Sequence, residues 1–313
     1  VRADATGDPV SEPKRRRVSV GAPYDLAATL RPWPVGGGDP TMRIEAGAIA
    51  KAARLSSGPV TIRFVEAGDG AIDVEAWGDG ASEALERAPQ MLGADDEPRG
   101  FRPSEPTLAE LAARFPGLRI GRAPSLMEVL ITTIVQQRVT TAEAIDSLRA
   151  LGQKHPEAAP GPLGLSLPVA PRTLAEAPYY TLHPLGIEKR RADVLRYVCA
   201  RPKRIGALAD LDRPEALRRL RSISGIGPWT AGLVAGIALG DPDAVPTGDY
   251  HLPSYVAWAL AGEPRADDAR MLELLAPYEG HRWRVIRLIR LAGIRAPRFG
   301  PRKGPAHWNR RRK

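Results

Sequence analysis

Cysteine is almost absent from this 313-residue chain: Cys199 stands alone. That excludes an internal disulfide framework and any iron–sulfur cluster held by four cysteines, and it suits a reducing compartment. No run approaches the roughly 18 apolar residues of a membrane span, and the N-terminus lacks an apolar signal core, so neither a membrane segment nor a secretory peptide is expected. His251 has no Cys or His partner at ligand spacing, which argues against a metal site there. No solenoid-type repeat occurs. Acids are scarce at one end: from Glu279 to Lys313 twelve Lys or Arg face a single acid, so this stretch carries +11 of a total formal charge of +9. Such focused positive charge, with a pI near 10.0, points to a polyanionic partner, most often nucleic acid.

Composition along the chain suggests two folded units. Residues 1–19 mix Gly, Pro, Ser and acids with the basic run Lys14-Arg15-Arg16-Arg17 and are expected to form a disordered tail. Residues 20–105 read as an α+β domain, because Val60–Val65 and Ile72–Trp77 alternate around Ala67-Gly68-Asp69-Gly70 as a β-hairpin does. The Pro-rich stretch Gly93–Pro106 reads as the linker to a helical domain over 106–296. There the spacing predicts a helix over Ser125–Gln137, a second opened by the capping box Thr140-Thr141-Ala142-Glu143, a long loop over Gly152–Pro171, and a helix over Glu188–Ala200. Further helices are expected near 213–221, 229–239, 250–261, 267–275 and 281–293. The remainder, 297–313, is a basic tail whose last residues, Arg310 to Lys313, suit solvent and DNA equally.

Chemistry concentrates in Leu220-Arg221-Ser222-Ile223-Ser224-Gly225-Ile226-Gly227-Pro228-Trp229-Thr230-Ala231. Two glycines one residue apart join an amphipathic helix to a small-residue helix. Glycine permits positive φ and lets a phosphate reach the backbone, while the helix beginning near Pro228 offers unpaired N–H groups to an anion. A tight turn needing glycine for geometry alone is the bland alternative; the flanking Leu217, Leu220, Ile223 and Ile226, the small Ala231, Gly232, Ala235 and Gly236 and the basic charge favour DNA. Ser224, Gly225, Ile226, Gly227 and Thr230 are the expected phosphate contacts.

Around this motif, from about Tyr24 to Gly293, the sequence resembles the helix-hairpin-helix DNA glycosylases, and within them the 3-methyladenine DNA glycosylase II family with its additional N-terminal α+β domain. Carrying the resemblance are Leu92-Gly93 to Asp95-Asp96, Ile134-Val135-Gln136-Gln137, Leu185-Gly186-Ile187, the hairpin, and Val245-Pro246-Thr247-Gly248-Asp249. It implies a monofunctional glycosylase of base excision repair that flips a damaged, alkylated purine out of double-stranded DNA and hydrolyses its N-glycosidic bond, leaving an abasic site. It also implies a monomer acting in the cytoplasm at the nucleoid.

Asp249 matches the catalytic aspartate, a role its chemistry supports: a carboxylate beside the deoxyribose stabilises an oxocarbenium-like state or orients water. Asp249 is equally placed to cap the helix that follows. Asp241 and Asp243, in Gly240-Asp241-Pro242-Asp243, read as turn residues. Trp229 stands where bifunctional relatives carry a lysine nucleophile, so no lyase step is implied. Trp229, Leu233, Tyr250 and Arg290 are the expected base pocket, with Leu233 and Arg290 departing from the family's aromatics. Arg138, in place of Leu or Ile, and Gln137 are the expected wedge that fills the gap left by a flipped base. No cofactor is required, and the hairpin carbonyls of Ser222, Ile223 and Gly225 can hold sodium or potassium. Tyr250, His251, Tyr255 and Trp283 could line the cleft, although aromatics near helix starts are more often core. Arg284, Arg287 and Arg290 read as the basic face of an amphipathic helix, and Lys189-Arg190-Arg191 as either a solvated face or a phosphate contact. Two alternatives stay open: a non-catalytic DNA-binding protein that kept the hairpin, and a glycosylase for bulky or crosslinked adducts.

Overall fold

The computed structural model describes residues 12–297. The expectations for 1–11 and for 298–313, including most of the C-terminal tail, lie outside the described residues. One antiparallel sheet is built from β1 (Lys14–Ser19), β2 (Met42–Glu45), β3 (Ala48–Leu55), β4 (Gly58–Glu66) and β5 (Ala71–Trp77), in the order β1-β5-β4-β3-β2. The expected hairpin is β4–β5, with Ile62 opposite Ala76 and Phe64 opposite Val74.

Residues 14–19, expected within a disordered tail, instead form an edge strand. Two of its arginines are matched by acids across the ladder: Arg15 bonds Glu75 and Arg17 forms a double hydrogen bond with Asp73, while Arg16 donates to the Leu85 carbonyl. Cross-strand charge pairing turns a sequence that looks unfoldable into a strand.

Helices complete the molecule: α1 (Leu26–Leu30), α2 (Ala81–Met91), α3 (Pro106–Arg114), α4 (Leu126–Val135), α5 (Thr141–Lys154), α6 (Pro171–Glu176), α7 (Tyr179–Leu182) and α8 (Lys189–Cys199). Then follow α9 (Pro202–Gly206), α10 (Arg213–Arg221), α11 (Pro228–Ala238), α12 (Leu252–Ala261), α13 (Asp268–Leu275) and α14 (Arg282–Leu291). Local chemistry sets several starts. Ser125 Oγ accepts the Glu128 N–H to open α4, Thr140 and Glu143 close a reciprocal capping box on α5, and Asp212 and Asp267 cap α10 and α13.

Two large apolar clusters form the interior, and they do not divide at residue 105. One joins Ile62, Phe64 and Val74 of the sheet to Leu130, Ile134, Leu195 and Val234 of the helices. The other gathers Ala28, Phe101, Leu108, Val256, Met271, Trp283 and Ile286. The Gly93–Pro106 segment is fastened too: Asp96 Oδ2 accepts the Ile120 N–H at 3.0 Å while Oδ1 pairs with Arg284, both side chains 3% exposed. A second buried pair, Lys51 with Glu128, ties β3 to α4.

Candidate functional site

The turn after α10 is closed by the Ile226 N–H donating to the Ile223 carbonyl at 3.0 Å. Gly225 has φ +88, and a Cβ there would lie 2.3 Å from Val194 Cγ2, so the fold itself requires glycine. Gly227 is different. Its φ of −89 is ordinary, and a Cβ would meet nothing within 4 Å. No internal contact asks for glycine at this exposed position; an external partner approaching the backbone would benefit. Pro228 opens α11, whose first intrahelical bond is Ala231 N–H to Gly227, leaving the Trp229 and Thr230 amides without helical acceptors. The small residues of α11 serve packing: a Cβ on Gly236 would lie 2.4 Å from Trp283, and one on Gly232 2.7 Å from Pro246.

Gln137, grouped with Arg138 as a wedge in the sequence reading, is committed elsewhere. Its Nε2 donates to the Gly225 carbonyl at 3.0 Å and to Thr230 Oγ1 at 2.9 Å. The Thr230 side chain is consequently buried and spoken for, leaving only its backbone N–H for a phosphate. Ile226 likewise sends its side chain into the core, whereas Ser224 and Gly227 are exposed. Arg138 sits exposed in the turn between α4 and α5 with φ +57. A left-handed backbone costs a non-glycine residue about 1 kcal/mol, so the fold would accept glycine there; the arginine side chain has to be worth that cost.

The hairpin and the Arg138 turn border a cleft of 2920 Å³ that also takes in Asp249, α14 and the Arg31–Gly36 loop. Small-molecule sites span about 300–1,000 Å³, so this one has room for a polymer. Asp249 is held on three sides. Its Oδ2 accepts the Trp229 indole N–H at 2.9 Å, and its Oδ1 accepts the His251 and Leu252 amides, each at 2.8 Å. Burial opposes ionisation, but these hydrogen bonds and the charge of Arg290 outweigh it and hold the carboxyl below its usual range. The capping geometry and the cleft position therefore coexist in one side chain. Asp243, by contrast, is structural, accepting from Gly280 and Arg282.

All four expected pocket residues line the cleft. Trp229 is half-buried beneath the hairpin, Leu233 is buried, and Arg290 is accessible, whereas Tyr250 is 90% exposed and stands at the rim. Its ring meets His251 edge-on, and His251 stacks on Tyr255 with an interplanar angle of 5°. Trp283 also borders the cleft, although it is almost fully buried against Gly236.

Two arginines expected on a solvated face of α14 are instead interior. Arg284 pairs with Asp96, and Arg287, 5% exposed, donates to the Ala28 carbonyl. Helix α14 is enclosed by α3, α12 and the N-terminal segment, so its basic residues find partners inside. Arg191 behaves likewise, donating to the Val135 and Gly186 carbonyls, while Lys189 pairs with Asp193 and Arg190 stays exposed at the cleft. The Arg31–Gly36 loop was missed as part of the site. Its Arg-Pro-Trp-Pro text reads as a turn, and nothing local connects it to residues two hundred positions later.

No family model matches the sequence. A curated relative, "Probable bifunctional transcriptional activator/DNA repair enzyme AlkA" of Mycobacterium tuberculosis, is 27% identical over 182 residues, 54% of this chain and 35% of that protein. The chain thus spans about a third of the length of the curated relative it matches. Among solved structures, 3-methyladenine DNA-glycosylase from Archaeoglobus fulgidus superposes with a TM-score of 0.75 at 20% identity, covering 89% of this chain and 98% of that one. An 8-oxoguanine glycosylase/lyase of Clostridium acetobutylicum, solved with double-stranded DNA, gives 0.65 at 13% identity, over 91% and 99% of the two chains.

Proposed function

We propose that this chain, whose fold is that of the helix-hairpin-helix DNA glycosylases and whose resemblance is to the AlkA-like members, is a monofunctional DNA glycosylase. It binds double-stranded DNA, turns a damaged purine out of the stack, hydrolyses its N-glycosidic bond and leaves an abasic site. Alkylated purines are the substrate class the resemblance suggests. The observation that carries this reading is the Asp249 carboxylate, kept ionised by Trp229 and two backbone amides at the side of a cleft bordered by the hairpin.

In the reaction the C1′–N bond lengthens, positive charge builds on the sugar, and Asp249 stabilises it while water adds to C1′. Trp229 acts on Asp249, fixing the carboxylate's direction. Restriction to base removal is supported by the cleft lining, which among the described residues includes no lysine and so no amine for a Schiff base with the sugar. The exposed Arg138 is proposed to enter the gap left by the flipped base. Hydrolysis needs no cofactor. The Ile223 and Gly225 carbonyls each accept one hydrogen bond already, which leaves a lone pair apiece that, with Ser222, suits sodium or potassium.

The test is release of free base by the full chain from duplexes carrying single lesions, with Asp249→Asn as the control. Wild-type release with a loss of about a hundredfold or more in the mutant is the expected result. No release from a broad lesion set would overturn the enzyme reading and favour a DNA-binding protein without activity; full activity in the mutant would overturn the role of Asp249.

A further inference from the structure

Three arginines of the cleft, Arg31, Arg287 and Arg290, form no ion pair among the described residues. Arg287 is 5% exposed and makes a single hydrogen bond among the described residues, to the neutral Ala28 carbonyl. Burial, followed by the charges of Arg290, Arg284 and Arg31, pushes its guanidinium down to about 9. Of these neighbours only Arg284 is compensated, by Asp96. Arg290 and Arg31 are accessible within the cleft and form no ion pair among the described residues. Arg290 faces Asp249 and Tyr255 electrostatically, but the Asp249 oxygens are already engaged by Trp229, His251 and Leu252. The charge of Arg287 is desolvated without an acid partner among the described residues, which is costly, and electron density arriving in the cleft would offset that cost.

We propose that Arg31, Arg287 and Arg290 make this site selective for damaged bases that are uncharged and depart as anions, and that they exclude bases carrying a fixed positive charge. The inference rests on the glycosylase reading and narrows it to ring-carbonyl or otherwise neutral lesions, oxidised, deaminated or alkylated. When the C1′–N bond of an uncharged base breaks, its electron pair goes to the ring nitrogen and spreads onto the carbonyl oxygens; the water oxygen bonds C1′, and one water proton ends on the base. Guanidinium groups stabilise that transient anion. A purine methylated at N7 or N3 starts as a cation, leaves neutral, and on entry is repelled by the three arginines. A backbone phosphate could also satisfy the exposed arginines, but Arg287 is 5% exposed and Arg290 interacts with the Asp249 carboxylate.

The full chain and its Arg290→Gln and Arg31→Gln variants would be compared by single-turnover base release from duplexes holding one hypoxanthine, one 8-oxoguanine or one 7-methylguanine. Rates are expressed over spontaneous loss, and duplex affinity and thermal melting are measured in parallel. Expected is a larger enhancement for the two uncharged bases, a fall of about tenfold to a hundredfold for them in Arg290→Gln, and a raised enhancement for 7-methylguanine. Both replaced side chains are accessible, so melting should not move. An equal fall on all three duplexes accompanied by weaker binding would assign the arginines to phosphate and overturn the proposal, as would a wild-type preference for 7-methylguanine. No release from any duplex would instead overturn the glycosylase reading beneath it.

Discussion

Asp249 does two things with one carboxylate. Oδ1 accepts the amides of His251 and Leu252 and so closes the first turn of α12, while Oδ2 takes the indole N–H of Trp229. The same bonds that position the group also depress its pKa against the opposing effect of burial. The sign follows directly: a carboxyl held below the ordinary value of about 3.9 stays ionised through neutrality and well into acid. Base release should therefore show no acid limb due to Asp249 between about pH 5 and pH 8, and a protonation step centred in that window would contradict the assigned ionisation. Removing Trp229's N–H takes away one of the three stabilising bonds, so Trp229→Phe is the natural companion variant for the same profile.

At the scale of elements, the hairpin separates what folding needs from what binding needs. Gly225 answers to φ +88 and to Val194, but Gly227 answers to nothing inside the protein. Gly227→Ala should leave stability within about 0.5 kcal/mol while weakening duplex affinity roughly tenfold, or about 1.4 kcal/mol. Thermal melting and a salt-controlled binding titration would check both halves; unaltered affinity would remove the phosphate contact from that position.

Helices around the hairpin were readable because caps and apolar spacing agree, as at Ser125, Thr140 and Asp267. Strand β3 was not. Ile49, Lys51 and Ala53 face the main core or its edge, while Ala50 and Ala52 lie beneath Ala159, Leu165 and Leu167 of the 155–170 loop. A strand covered on both faces loses its polar alternation, and half of this one is alanine. Helix α2 was hidden by Pro89 within it. Asp249 and the hairpin residues were legible because their motif is local, whereas the partners of Arg284 and Arg287 come from residues 188 and 259 positions away.

For the whole molecule, two buried ion pairs join regions the sequence appeared to separate. Lys51 with Glu128 connects sheet to helices, and Asp96 with Arg284 connects the intervening segment to the last helix. Breaking one partner leaves a stranded charge, so Asp96→Ala should cost about 3–5 kcal/mol in chemical denaturation. A change below about 1 kcal/mol would mean that the pair is dispensable. The continuity of the main cluster from Phe64 to Val234 implies that such a loss is felt across residues 12–297.

Gln137 also acts across the molecule, because one amide group holds both Gly225 and Thr230 while its neighbour is Arg138. In the proposed reading, the spacing between the hairpin that would grip the backbone and the Arg138 side chain that would enter the gap is thus set before DNA arrives. The duplex has to supply the fit, and its bending and unstacking energies vary with the step being deformed. A mispaired or damaged step yields more readily. Discrimination under the proposed function would then begin in the mechanics of the double helix, ahead of any contact with the base itself.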